Sequence, residues 1–270
     1  MKPLTGKRLI AWRIALAGWL VGWFINTSEN VGLFVSAWER PILEHPLFPG
    51  VMCDGRVALL LFALPLAGFA GFSGGTVFRL RVVSGILALV SLGLLGHLCT
   101  YNDATYTTTF WSALWMGWWA GRIEGSGAGA ERHAIALGQG LVGLCFLGGF
   151  VGKLTPEYWS GEVFHGIYVL QKPYFPFSWM RDNWPEAASK TASAWMGRGM
   201  IVTEGVLSTL VFWPTRAALG ATLGVFVVMT LLAQVQILSV LAPLAGVMVA
   251  CGFLGETLEP EDILRDAAEG

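Results

Sequence analysis

Long apolar stretches separated by polar connections dominate the sequence. A bilayer core is about 30 Å thick, and a helix needs about 20 mostly apolar residues to cross it. Segments that approach this requirement occur eight times, at 9–25, 57–76, 82–98, 107–121, 134–152, 199–214, 217–236 and 237–254. The pattern predicts an all-α integral membrane protein, a polytopic bundle of about eight transmembrane helices.

The composition supports this prediction. Only 13% of the 270 residues are charged and 54% are hydrophobic, whereas a soluble domain carries about 25% charged residues. An ordinary cytosolic enzyme and a disordered protein are therefore excluded. The formal net charge of -1 provides no basic surface for nucleic acid. The 13 tryptophans agree with a membrane protein, because Trp is enriched at membrane–water interfaces.

The basic residues predict the orientation. Short cytoplasmic loops carry an excess of Lys and Arg. If the N-terminus with Lys2, Lys7 and Arg8 is cytoplasmic, the other basic loop residues fall on the same side, namely Arg79, Arg81, Arg122, Arg132 and Arg216. We expect a protein of the bacterial inner membrane with both termini in the cytoplasm. It would consist of one transmembrane domain, 1–255, and a short acidic tail, 256–270.

Two long connections fall on the opposite, non-cytoplasmic side. Residues 26–56 and 153–198 are rich in proline and in aromatic side chains. Within the second, residues 158–184 predict an interfacial or re-entrant segment that lies on the bundle. Irregular backbone at membrane depth must be covered by protein or line water. We therefore expect a cavity on this side.

A glycine-rich helix end, 148–152, leads into Lys153, and Glu157 and Glu162 follow within nine residues. A desolvated lysine can act as a base or nucleophile near neutral pH. Alternatively, Lys153 extends to the interface, and the glycines only allow helices to pack closely. The spacing alone leaves both interpretations open.

Glu204 is a second candidate, because it lies within the apolar stretch 199–213. A charge at the bilayer centre costs about 2.5–3.5 kcal/mol on insertion scales. Arg198 and Arg216 would be the local partners, but neither stands at the i,i+4 spacing that a helical ion pair needs. An interhelical partner such as Lys153 or Arg56 is therefore expected.

Further candidates surround this region. Asn102 and Asp103 belong to a polar patch on the same side as Lys153, which indicates either a shared polar pocket or a plain loop. His165 follows Glu162 by three positions and is either a proton shuttle or an interfacial histidine. Trp159 would line the same site. The four Cys and four His show no metal-ligand spacing, so no metal site is predicted.

The run Lys153-Leu154-Thr155-Pro156-Glu157 through Ser160-Gly161-Glu162 resembles a motif of the HTTM (horizontally transferred transmembrane domain) family, K-L-x-P-[DE]-W-x-x-G-E. This family includes the membrane portion of vitamin K-dependent gamma-carboxylase. In the carboxylases the motif lysine is implicated as the base toward vitamin K hydroquinone, and the resemblance assigns that role to Lys153. Tyr158 replaces the motif tryptophan. The stretch Thr100–Ala104 lacks the histidine of the carboxylases' W-N-N-H-like patch, so the resemblance implies the fold without the carboxylation.

Two functional hypotheses follow. In the first, the protein is a non-catalytic subunit or scaffold that packs against other integral membrane proteins through its aromatic surfaces. In the alternative, it is an HTTM-type enzyme or binding protein for a quinone or lipid. Lys153 would then be the base, with Glu204 as a buried proton partner and the neighbouring carboxylates close by. A weaker resemblance to DoxX-like membrane proteins rests on Gly148–Lys153.

Overall fold

The computed structural model describes residues 6–37, 56–95, 103–122, 128–173, 175–213, 216–233 and 235–255. Its helices follow one another as α1 (Gly6–Ala37), α2 (Arg56–Ser73), α3 (Val77–Leu95), α4 (Asp103–Arg122), α5 (Ala128–Gly152), α6 (Pro156–Trp159), α7 (Glu162–Phe164, continued by a π-helix, His165–Leu170), α8 (Phe177–Asn183), α9 (Glu186–Leu210), α10 (Arg216–Ala233) and α11 (Val235–Gly255). The all-α prediction is confirmed for these ranges. The predicted acidic tail, 256–270, lies outside them.

Among the described residues, four helices are long and apolar enough to cross a membrane, as expected for an integral membrane protein. They comprise Gly6–Ser28, Val77–Leu95, Gly129–Gly152 and Ile237–Gly255. Two further helices carry shorter apolar stretches, Ala63–Ser73 and Arg216–Leu231. The remaining two long helices are more polar, because α4 begins with several threonines and α9 contains two acidic and two basic residues.

The eight predicted segments overlap the eight long helices of the described ranges, of which four are long and apolar enough to be spans, and two predicted connections are wrong in extent. The connection 26–56 overlaps α1, which continues to Ala37; residues 38–55 lie outside the described ranges. The connection 153–198 overlaps α9, which begins at Glu186. Residues 186–194 are rich in alanine and charged residues, which favour helix without being apolar. A search for membrane-spanning stretches therefore misses them.

Contacts between α1 and α11 and between α3 and α4 pair residues in reverse order along the chain, so these helices are antiparallel and the bundle has two ends. At one of them, Arg8 Nε donates to Glu131 Oε1 at 2.6 Å and joins the starts of α1 and α5. Arg13 Nη2 donates to the Phe72 carbonyl at 2.9 Å and so caps the end of α2. The side chain of Arg81 lies against Gly121 near the end of α4. We call this the basic end, and the one where α5 ends and α9 begins the motif end.

The closest helix pair is α1 with α11. A Cβ on Gly18 would overlap the carbonyl oxygen of Ala242, and one on Gly22 would lie 2.5 Å from the carbonyl oxygen of Ser239. Small residues of this kind allow transmembrane backbones to approach closely. Trp19 is fully buried beside this contact, and its indole donates to the Thr109 carbonyl of α4 at 3.0 Å.

Helix α5 stands at the edge of this core. Only 28% of its apolar span is buried, compared with 61% for α11. Its contacts with the core concentrate near the basic end, where the Trp115 indole donates to the Ala134 carbonyl at 2.8 Å and Cys251 Sγ lies 3.8 Å from the Ile135 carbonyl. Toward the motif end, α5 separates from α4 and α11.

We expect Gly22→Ala to destabilise the bundle, because the new methyl group would overlap α11, and overpacking costs about 1–3 kcal/mol. Gly85→Ala is the matched control, since a Cβ at Gly85 meets nothing within 4 Å. Thermal unfolding of the purified protein in detergent should show a lower midpoint for Gly22→Ala and an unchanged or higher midpoint for Gly85→Ala. Equal midpoints for the two variants would contradict this packing.

Candidate functional site

Lys153 is positioned between two helix ends. Helix α5 ends at Gly152, and the Lys153 N–H donates to the Phe150 carbonyl at 3.1 Å in the closing turn. The next helix starts at once, since the Thr155 hydroxyl accepts from the Tyr158 N–H at 3.4 Å and Pro156 takes the first helical position. The residues after the lysine thus fix the point at which the chain leaves α5.

Lys153 and Glu204 form an ion pair between α5 and α9. The ammonium Nζ donates to both carboxylate oxygens, at 2.9 Å to Oε1 and 2.8 Å to Oε2. The side chains are 19% and 9% exposed. The structure thus supplies the interhelical partner that the position of Glu204 requires. Removing one member of such a pair would leave an uncompensated charge.

Gly149 makes room for this pair. A Cβ on Gly149 would lie 2.8 Å from Glu204 Oε2. At the next residue of α9, Gly205 similarly accommodates the ring of Phe150, because a Cβ there would lie 3.1 Å from the ring. The glycine-rich helix end is therefore needed for the close approach of α5 and α9.

The pair acts as one chemical unit. An ammonium has three donors; two point to Glu204, and the third has a long contact of 3.4 Å to the Gly149 carbonyl. The Tyr158 ring centroid lies 5.9 Å from Nζ. A protonated lysine cannot accept a proton, so Lys153 can act as a base only after its own proton moves to Glu204. A ligand oxygen could take the weakly used third donor.

The pair lines one end of a large cleft between α4, α5 and α11, with a volume of about 1000 Å³. Its walls are mostly apolar and aromatic. They include Thr107, Trp111, Trp118, Leu137, Gly140, Leu144, Cys145 and Leu244. Several of these side chains are also exposed: Leu144 is 67% exposed and Trp111 is 50% exposed. The cleft therefore opens sideways.

Four other predicted site residues, Glu157, Trp159, Glu162 and His165, do not line this cleft. Glu157 and Glu162 are exposed, and Trp159 is half exposed against Arg198. His165 is buried and lies with Nδ1 3.2 Å from Ser193 Oγ. Their closeness to Lys153 in sequence is lost in space, because the chain turns away from α5 after Thr155.

The predicted polar patch reaches the cleft through its helical part. Asp103 is the first residue of α4, but the structure does not describe its side chain. Asn102 lies outside the described ranges. The next turn of α4 contributes Ala104, Thr107 and Thr108 to the same cleft as Lys153. The two regions that the sequence placed on one side thus share one cavity.

The segment predicted to be interfacial or re-entrant forms short helices against α9. Gly161 turns the chain with a φ of 82°, and its position leaves no room for a side chain against Ala194. The Arg181 guanidinium holds the end of the π-helix by donating to three carbonyl oxygens, those of Val169, Leu170 and Lys172.

A second cavity of about 530 Å³ lies between this segment, α9 and α10. Phe164, Tyr168 and Phe177 form its aromatic wall. Burial raises the pKa of the Tyr168 phenol, and the charges of Tyr158 and Glu204 raise it further. Tyr168 therefore stays neutral at physiological pH. Met229 of α10 lines both this cavity and the cleft.

The sequence did not predict that one face of α5 lines a cleft. Leu137, Gly140, Leu144 and Gly148 recur at the i, i+3, i+7 and i+11 spacing of one helix face. That spacing identifies a face but does not indicate what it contacts. Among the described residues, no group of three or more His, Cys, Asp and Glu side chains could hold a metal ion.

No protein-family model, curated protein or solved structure matches the chain. The resemblance to the HTTM family therefore rests on the motif around Lys153. The role of a base that it implies for this lysine remains a proposal.

We expect Gly149→Ala to weaken the α5–α9 contact, because its methyl group would displace the Glu204 carboxylate. Gly148→Ala is the control, since a Cβ at this neighbouring position meets nothing within 4 Å. The thermal midpoint should fall for Gly149→Ala alone. If Gly148→Ala lowers the midpoint equally, the effect belongs to α5 in general and not to the ion pair.

A double-mutant cycle tests the ion pair. Lys153→Met or Glu204→Gln alone changes one partner, and breaking a buried pair costs about 3–5 kcal/mol when a charge is left behind. Lys153→Met leaves such a charge, so it should destabilise more than the double variant Lys153→Met with Glu204→Gln. Chemical denaturation in detergent measures the four free energies of unfolding, those of the wild type, the two single variants and the double variant. Additive effects would contradict a coupled pair.

Proposed function

We propose that the protein binds a lipophilic amphiphile of the quinone or lipid class in the cleft between α4, α5 and α11. The observation that carries this proposal is the form of the cleft: an apolar, laterally open space that ends at a buried ion pair, Lys153–Glu204. A ligand with an apolar body and a polar head matches both parts.

The dimensions and the lining favour such a ligand. Ligand pockets have volumes of about 300–1,000 Å³, with a mostly apolar lining and a few polar groups that fix orientation. The cleft is at the upper end of this range. Because Leu144 and Trp111 face both the cleft and the outside, an amphiphile could enter from the bilayer without crossing water.

Lys153 and Glu204 would bind the polar head and hold its proton. A head oxygen would accept from the third N–H of Lys153, which now contacts only the Gly149 carbonyl at 3.4 Å. If the head carries a hydroxyl, Glu204 can accept its proton while Lys153 stabilises the oxyanion. The two residues together would then act as the base, whereas the HTTM resemblance gives this role to Lys153 alone.

In the membrane, we place all eight long helices as spans, with the basic end in the cytoplasm. Arg79, Arg81 and Arg122 then follow the preference of short cytoplasmic loops for basic residues. The aromatic segment 158–184 lies at the non-cytoplasmic interface of a bacterial inner membrane. The polar end of the cleft is then close to that interface, where an amphiphile carries its head.

A second candidate function is the subunit or scaffold role. The observation that favours it is a face of α5 with small residues at four- and eight-residue intervals, where Gly140, Gly148 and Gly152 each leave open space for a side chain. Transmembrane helices pack on such faces. In this case a helix of another membrane protein occupies the cleft.

Purification from the native membrane in gentle detergent, followed by mass spectrometry, separates the two candidates. We expect about one amphiphile per wild-type chain. Gly140→Phe places a ring in the cleft and should abolish retention. Gly85→Phe adds the same side chain at an open position of α3 outside the cleft lining and should retain the ligand.

Replacement of the charged pair tests the binding of the head. The double variant Lys153→Met with Glu204→Gln leaves no charge unpaired, so it separates binding from folding. We expect at least a tenfold loss of retained amphiphile with little change in the thermal midpoint. A stoichiometric membrane protein that dissociates with Gly140→Phe and not with Gly85→Phe would support the second candidate. Wild-type protein that carries neither would refute both.

A further inference from the structure

Arg198 of α9 contacts two tryptophan rings at the motif end. Its guanidinium carbon is 5.2 Å from the ring centroid of Trp159 and 5.2 Å from that of Trp195. Its Nε donates to the Trp159 carbonyl at 3.1 Å, which ties α6 to α9. Two cation–π contacts, together with a backbone hydrogen bond, restrict the position of the guanidinium.

The charge of this arginine is not matched by a carboxylate. Two other basic side chains of this end have acidic partners, Lys190 with Glu186 at 2.6 Å and Arg181 with Asp182 at 3.3 Å. Within the described ranges, Arg198 has no carboxylate oxygen within 4 Å, and its hydrogen bonding is limited to Nε. The two terminal nitrogens remain available as a planar fork, which fits phosphate oxygens in a bidentate manner.

The surroundings place this fork near the membrane surface. The apolar span of α5 ends at Gly152, and Trp159 follows it by seven residues. On α9, Arg198 precedes Glu204 by six residues, or about 9 Å of helix. Trp159 is 51% exposed and Trp195 is 68% exposed. Exposed tryptophans at the end of an apolar span are typical of the headgroup level of a bilayer.

We propose that Arg198, Trp159 and Trp195 form a binding site for the phosphodiester of a phospholipid headgroup. The guanidinium fork binds the phosphate oxygens, and the two rings contact the glycerol and the upper acyl chains. None of the three residues lines the cleft or the second cavity. The site therefore does not depend on what the cleft binds.

Native mass spectrometry of the full chain in detergent, with phosphatidylglycerol titrated in, tests the proposal. The wild type should hold one phosphatidylglycerol more tightly than the rest, and Arg198→Gln should weaken it about tenfold, the effect of losing a charge-assisted hydrogen bond. Lys190→Gln is the matched control, because it removes one positive charge from the same helix and should leave this affinity unchanged.

Three outcomes would overturn the proposal. If Lys190→Gln weakens binding as much as Arg198→Gln, the attraction is a general charge effect. If a phosphate-free diacylglycerol glycolipid binds as tightly as phosphatidylglycerol, the contact is apolar only. If inorganic phosphate at millimolar concentration displaces the lipid, the site takes a soluble phosphate instead.

Arg198→Gln also loses the hydrogen bond to the Trp159 carbonyl and could therefore fold less well. A second variant tests the site without this change. Trp195→Leu removes an exposed ring and no protein hydrogen bond, so the bundle should keep its thermal midpoint. We expect phosphatidylglycerol binding to weaken about threefold, within the range of one exposed cation–π contact. Unchanged binding in this variant would contradict the role of the two rings.

Discussion

The arrangement of the bundle depends on the contact between the first and last helices. Gly18 and Gly22 bring α1 against the backbone of α11. Helix α4 joins both, through the Trp19 indole and through a hydrogen bond of 2.7 Å between Thr105 and Ser239. With these three helices fixed, α5 contacts α4 and α11 near the basic end, through Ala134 and Ile135. The cleft is the space that this constraint leaves at the other end.

The Lys153–Glu204 pair compensates for this separation. Toward the motif end α5 lacks close packing against α4 and α11, and the pair ties it to α9 instead. Because both charges are largely removed from water, the pair is a weak source of net stability but a strong constraint on geometry. Under the proposed function, the same desolvation would strengthen the interaction of the pair with a ligand that offers a proton or an oxygen. The fixed geometry of the pair and the chemistry proposed for it therefore both follow from the removal of the two charges from water.

The sequence was sufficient for the positions of the long helices, because apolar stretches are local signals. It also indicated that Glu204 needs an interhelical partner, because an unpaired charge there is expensive. It could not show the start of α9, whose first residues favour helix without being apolar. Nor could it show the cleft, since an open face on α5 depends on where α4 and α11 are held. The prediction of one site with Lys153 was based on closeness in sequence for Glu157, Trp159 and Glu162. None of the three lines the cleft.

The run from Lys153 to Glu162 does not form one site but positions two separate contacts with α9. Thr155 and Pro156 start a new helix immediately after the lysine, and Gly161 reverses the chain against α9. Lys153 is thereby directed inward to Glu204, while Trp159 is directed outward to Arg198. Both partners lie on α9, six residues apart. One short segment therefore fixes α9 at two depths, at a buried ion pair and at an exposed arginine, and each contact limits how far the other can move.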